Sequence, residues 1–203
     1  STFVAQYMGA KTPEKIGSIL WQGIYFSGIG GLILFLLSFL SEPIFNFIGH
    51  DPEVKQQEII YWRYLAIAGI FQVQLGSLTS FFNGRSKTFA VMWSSFAATF
   101  VNICLNYCLI FGNFGFPEMG IEGAGLSTII ATVTNVSVLA FLIFNNRNNQ
   151  KFQVISSFKF NHKKFWRLIK FGMPNGLTFF LNMTVFSTFI LLVGRIGMIE
   201  LAS

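Results

Sequence analysis

Charge is what this sequence has least of. Asp, Glu, Lys and Arg make up only 11% of its 203 residues, against the roughly 25% of an ordinary soluble domain. Of its eight acids only Asp51 is an aspartate, and all eight fall in expected loops or at the ends of apolar runs. Carboxylate proton relays within those runs are thereby excluded. The two histidines, His50 and His162, stand isolated in loops, and the two cysteines, Cys104 and Cys108, sit four apart in one apolar run. No ligand-spaced cluster exists, so no metal is expected, and the cysteines read as small packing residues. H-E-x-x-H, G-x-S-x-G and the P-loop are all missing, so no catalytic residues and no cofactor are expected. The glycines of Gly120-Ile121-Glu122-Gly123-Ala124-Gly125 have the wrong order for a dinucleotide fingerprint, and no strand precedes them. A tight turn and close helix packing explain them better.

What is abundant is apolar: 53% hydrophobic residues, 26 of them Phe, and a mean hydropathy of +0.58. The chain reads as an all-α polytopic membrane protein. It starts Ser-Thr-Phe and ends Leu-Ala-Ser, which reads as an internal stretch of a longer protein. After the tail of a span at 1–8 and a polar turn at 9–15, five complete spans are expected at about 16–40, 59–82, 88–111, 123–144 and 165–193. Each exceeds the ~20 apolar residues needed to cross a bilayer core. The intervening 41–57 is expected as a loop, and 145–164 as a long polar one. The glycines of the first span, Gly17, Gly23, Gly28, Gly30 and Gly31, suit close helix–helix packing in lipid.

Every span also carries one polar stripe at helical spacing. These are Ser18, Gln22 and Tyr25; Gln72, Gly76, Ser80 and Asn83; Ser95, Thr99, Asn102 and Asn106; Thr128, Thr132 and Asn135; and Asn175, Thr178 and Asn182. Single polar residues can simply hydrogen-bond between membrane helices. Five stripes on five helices suggest a bundle interior polar enough for water or a ligand. Pro174 removes a helical hydrogen bond to the carbonyl of Lys170; it is either a tolerated kink or a hinge.

The basic residues set the expected orientation. Turns 9–15 and 84–87 and segment 145–170 hold 11 of the 14 Lys and Arg residues and one acid, Glu14. The opposite loops hold three basic and seven acidic residues. The basic side is therefore expected in the cytoplasm. The net charge of +6 is topology, and no nucleic-acid partner is expected. The run Lys159–Lys170, with Phe158, Phe160, Phe165 and Trp166, reads either as a basic amphipathic helix on anionic lipid or as a plain linker.

Four motifs then resemble one family. Val4-Ala5-Gln6-Tyr7-Met8-Gly9-Ala10 followed by Ile19-Leu20-Trp21-Gln22-Gly23 is similar to the junction of helices two and three in MATE (multidrug and toxic compound extrusion) transporters. Asn102-x3-Asn106-Tyr107-x-Leu109-Ile110-Phe111-Gly112 resembles their fifth helix, Gly120–Thr128 the start of the sixth, and Phe171-Gly172-Met173-Pro174 to Gly197 the seventh. The order is right over essentially the whole chain, and the bacterial NorM branch is the most similar.

The resemblance implies a fragment of a twelve-helix, two-lobe bundle. Residues 1–144 would belong to the N-terminal lobe, 145–164 to a cytoplasmic inter-lobe loop, and 165–203 to the start of the C-terminal lobe. It implies a multi-pass protein of the bacterial inner membrane, monomeric when full length. Such a protein would export organic, often cationic compounds in exchange for Na⁺ or H⁺ by alternating access. A lipid-linked glycan flippase of the same superfamily is the alternative; it calls for a cavity rich in Arg or Lys. The implied substrate or cation cavity is lined by Gln22, Tyr25, Gln72, Asn102, Asn106, Thr128, Thr132, Asn135 and Asn182. The sequence departs from the family at two of these. Asn106 stands where some relatives have Asp, and Asn182 where many have Glu.

Overall fold

The computed structural model describes residues 1–48 and 52–196; side chains at 47, 48 and 191–196 are outside the described set. Asp51, His50 and Glu200 therefore fall outside it, as does the side chain of Arg195. Eight α-helices run in order among the described residues: α1 Thr2–Gly9, α2 Ile16–Ser38, α3 Ser41–Ile48, α4 Pro52–Asn83, α5 Thr88–Phe111, α6 Gly120–Ile143, α7 Asn146–Phe152 and α8 His162–Ile196. Short 3-10 turns at Pro13–Lys15 and Asn113–Gly115 precede α2 and follow α5. Four helices among the described residues are long and apolar enough to cross a membrane: Pro13–Ser38, α4, α5 and α6. The expected fifth span falls on α8, and its last side chains lie outside the described set.

Two expected loops are partly helical. Of 41–57, the described residues form α3 and the start of α4, with Pro52 at the helix start, where its missing N–H costs nothing. Glu42 there pairs with Arg63 at 2.9 Å, both exposed, so the pair adds little stability. Segment 145–164 is an ordered connector built by its asparagines. Asn145 caps α7 by accepting from Asn148 N–H at 2.8 Å. Asn148 Nδ2 donates to the Leu142 and Ile143 carbonyls at the end of α6. Asn149 Oδ1 accepts the N–H groups of Ile155 and Ser156. The first two satisfy backbone groups that a helix end leaves orphaned, and Asn149 satisfies N–H groups of the irregular connector.

The chain divides into two compact units, residues 1–161 and 162–203. In the first, α4 is the central element: α2 packs along it on one side and α6 on another, while α5 packs on α6. Small residues permit these approaches. A Cβ on Gly31 would lie 2.9 Å from Ile70 Cγ2 on α4; one on Gly125 of α6 would lie 2.5 Å from Tyr64 Cβ; one on Gly123 would meet the Leu109 carbonyl oxygen of α5 at 2.7 Å. Gly28, grouped with the packing glycines by sequence, has nothing within 4 Å. Gly112, at φ +67°, ends α5 in the left-handed region, and Met119 N–H closes the hairpin on the Leu109 carbonyl at 2.9 Å.

The outer surface is apolar. On α5, Phe89, Trp93, Phe96, Phe100, Ile103, Tyr107 and Phe111 recur every three or four residues and are all more than half exposed. In water such a stripe would drive association; against hydrocarbon it costs nothing, which agrees with the span assignment. Cys104 joins this exposed surface, and only Cys108 is half-buried, so the packing role read for both holds at most for one.

Candidate functional site

The polar stripes of α4, α5 and α6 converge. Gln72, Leu75, Ser95, Ala98, Thr99, Asn102, Thr128, Ala131, Thr132 and Asn135 line one cavity of about 290 Å³. Five of the nine cavity residues read from the sequence therefore meet, Gln72, Asn102, Thr128, Thr132 and Asn135, together with Ser95 and Thr99 of the α5 stripe. No acid and no base is in the lining.

The walls are fixed by hydrogen bonds between α5 and α6. Ser94 Oγ, fully buried, donates to Asn135 Oδ1, and Asn135 Nδ2 reaches Ser95 Oγ at 3.5 Å. Lower down, Ser127 Oγ donates to Asn106 Oδ1, and Asn106 Nδ2 donates to Asn102 Oδ1 at 3.0 Å. Asn106 thus stands behind the cavity and orients Asn102. That relay leaves the Asn102 amide Nδ2 free to donate, with Asn102 half-buried at the lining. Thr128 and Thr132 donate to the carbonyls four residues back, Ala124 at 2.8 Å and Thr128 at 2.7 Å. Their hydroxyl oxygens keep accepting capacity. A small guest thus meets amide and hydroxyl groups of both senses without a fixed charge.

The polar stripe of α2 has another task. Gln22 is completely buried; its Nε2 donates to the Ser18 and Lys159 carbonyls at 3.1 and 3.2 Å, and its Oε1 accepts Asn161 N–H at 3.0 Å. Tyr25 OH donates to the Phe158 carbonyl, and Trp21 Nε1 to that of Val154 at 2.7 Å. These side chains bind the connector 153–161 to α2. The assignment of Gln22 and Tyr25 to the cavity is corrected accordingly: both Gln22 N–H donors and the Tyr25 hydroxyl proton are spent on backbone carbonyls, and neither side chain is in the cavity lining.

Asn182 lies exposed on α8 in the second unit and is not among the cavity residues. Pro174 sits inside α8, which is helical on both sides of it, and its carbonyl accepts from Thr178 Oγ1 at 3.0 Å.

Sequence reasoning missed Ser94, Ser127 and the α2–α4 bond from Ser27 Oγ to Gln74 Oε1. All three serines are fully buried. Small residues beside a polar stripe, at the angle where two membrane helices touch, were the available signal.

A family model described as MatE matches residues 1–108 of this chain. A "Probable multidrug resistance protein NorM" of Listeria monocytogenes is 33% identical over 202 residues, 96% of this chain and 43% of that protein. The protein of that name from Thermotoga maritima is 27% identical, over 97% of this chain and 41% of its own length. The crystal structure of the eukaryotic MATE transporter AtDTX14 superposes with a TM-score of 0.78 at 25% identity, covering 95% of this chain and 42% of that one. The chain spans less than half the length of the curated relatives it matches. The matched model covers more than half of the residues, and the arrangement of α2, α4, α5 and α6 is that of a solved MATE transporter: this chain belongs to the MatE family.

Proposed function

We propose that this chain is part of a secondary active multidrug exporter that moves organic, often cationic compounds across the membrane in exchange for Na⁺ or H⁺ by alternating access. The observation that carries the reading is the uncharged polar cavity among α4, α5 and α6. Buried amides and hydroxyls in membrane helices are costly unless they meet partners, and here several keep unspent capacity facing a cavity. The multidrug-resistance names of the relatives support the same reading. The cavity lining holds no Arg or Lys, which disfavours a lipid-linked glycan flippase.

Residues 1–144 form part of one lobe in this reading, 145–164 the inter-lobe connector and 165–203 the start of the second lobe, with Pro174 as a hinge candidate and Asn182 as a cavity candidate there. The basic turns 9–15 and 84–87 face the cytoplasm of a bacterial inner membrane. Single cysteines at Lys87 and Lys159, in a background lacking Cys104 and Cys108, test this. Ready labelling from outside intact cells by an impermeant reagent would reverse the orientation.

The transport reading is tested by efflux of a fluorescent organic cation from cells expressing the full-length protein. Loss of one cavity hydrogen bond, as in Asn102→Ala, should raise the half-saturating drug concentration about fivefold. A variant with unchanged drug dependence at equal expression removes Asn102 from the substrate path.

A further inference from the structure

A second concavity lies outside the transport reading. It has a volume of about 490 Å³ and is lined by Arg85 and Lys87 from the α4–α5 turn, Arg147 and Lys151 from α7, and the apolar side chains of Met8 and Phe152 among others. Four cations from two separate segments border one space, and no acid is in the lining. None of the four makes an ion pair among the described residues; Arg63–Glu42 is a pair elsewhere. Like charges gathered this closely repel unless a counter-ion sits between them.

One member is built in place. The Arg85 guanidinium carbon lies 3.7 Å from the Phe81 ring centroid and 4.6 Å from that of Phe152. Its Nε donates to the Phe81 carbonyl at 2.8 Å. Phe81 is itself fully buried, and Phe152 nearly so. Stacking and one backbone bond thus hold the planar group, while its terminal nitrogens remain available as a fork of donors. Burial lowers the Arg85 pKa to about 10, so the group is still charged at neutral pH.

The position selects the ligand. α4 ends at Asn83, α5 begins at Thr88 and α6 ends at Ile143. Three membrane-length helices therefore terminate here, the level at which the phosphates of one leaflet would lie against such spans, and the apolar wall of Met8 and Phe152 suits the start of an acyl chain. We propose that this basic concavity is a binding site for the phosphate of an anionic phospholipid headgroup, gripped by Arg85, Lys87, Arg147 and Lys151. Basic pockets between the ends of membrane helices are the usual geometry for headgroup capture. A bound lipid would bridge the α4–α5 turn to α7, and so to the connector that α2 holds.

The test uses the full-length protein in detergent, with native mass spectrometry counting retained lipid as phosphatidylglycerol or phosphatidylcholine is titrated in. Arg147→Gln/Lys151→Gln removes two exposed cations and leaves the stacked Arg85 alone. Lys11→Gln/Lys159→Gln removes the same charge from the same side, outside the concavity. The expected result is phosphatidylglycerol retention weakened about twentyfold in the first variant, unchanged in the second, with phosphatidylcholine insensitive to both. Equal loss in the two double variants would make the effect bulk surface charge and overturn the site. Full displacement of phosphatidylglycerol by millimolar inorganic phosphate would mark a soluble-phosphate site and overturn the lipid assignment.

Discussion

The polar stripe of α2 and those of α4, α5 and α6 look alike on paper: amides and hydroxyls at i, i+4 and i+7 in otherwise apolar helices. In the structure they do opposite things. Gln22 bonds the connector after α7 through both ends of its amide, with Tyr25 and Trp21 beside it. Asn102, Thr128 and Thr132 keep hydrogen-bonding capacity toward a cavity. The difference lies in what packs opposite. A polar stripe facing irregular backbone meets orphaned carbonyls and N–H groups and is consumed by them. A stripe facing other stripes on regular helices meets backbone that is already paired, so its polar groups bond one another or stay free.

The comparison can be broken first at Gly17, where the effect should be largest. A Cβ there would sit 2.3 Å from the Gln153 carbonyl oxygen and 2.5 Å from that of Phe152. Gly17→Val should push the connector off α2 and cost about 3 kcal/mol, read as a large drop in the thermal midpoint of the detergent-solubilised protein. A midpoint equal to the parent's would mean that the α2–connector contact contributes no stability.

Next comes Gln22→Leu. It keeps the volume but strands the Lys159 carbonyl and the Asn161 N–H, at a cost of about 2 kcal/mol. Drug efflux per folded molecule should stay near the parent's. A variant of normal stability with altered drug preference would return Gln22 to the cavity.

Thr132→Val should show the reverse pattern. Its hydroxyl donates only to a carbonyl of its own helix, so stability should move by less than about 0.5 kcal/mol. Drug affinity should fall a few-fold, about one hydrogen bond's worth. Thermal unfolding and efflux measured on the same preparation separate the two classes.

The smallest effect is expected for ion coupling in Asn106→Ala. Asn106 lies behind Asn102 and cannot titrate, and its partner Ser127 keeps the Ala124 carbonyl at 2.9 Å. Efflux driven by an imposed pH gradient should keep its dependence on that gradient. Loss of the pH dependence with drug binding intact would give Asn106 a part in coupling that an amide should not have.

Much of the site was legible because helical periodicity survives translation into three dimensions. Asn102 and Asn106, four apart, share a face, and so do Thr128, Thr132 and Asn135. The boundaries at 83–88 and 111–120 follow from glycines and a basic turn that no continuous helix would carry. Other features had no local signal. Asn145-Asn146-Arg147-Asn148-Asn149 reads as a solvated linker, yet Asn145 caps α7, and Asn148 and Asn149 bond backbone groups that come within reach only once the chain has turned. Segment 41–57 reads as a loop because Pro43, Pro52 and its acids break the apolar pattern; short helices need no such pattern when a neighbour supports them, as α4 supports α3.

The sequence by itself determined the class of the protein, the places of its long apolar helices and the uneven charge of the segments between them, because hydrocarbon tolerates so few arrangements of backbone and charge. Only the tertiary structure decided which polar face became a cavity wall and which became a clamp. It also decided that Arg85 and Lys87 would share one concavity with Arg147 and Lys151, some sixty residues further on. Those outcomes depend on which elements pack opposite one another, and helical spacing carries no information about the opposite side.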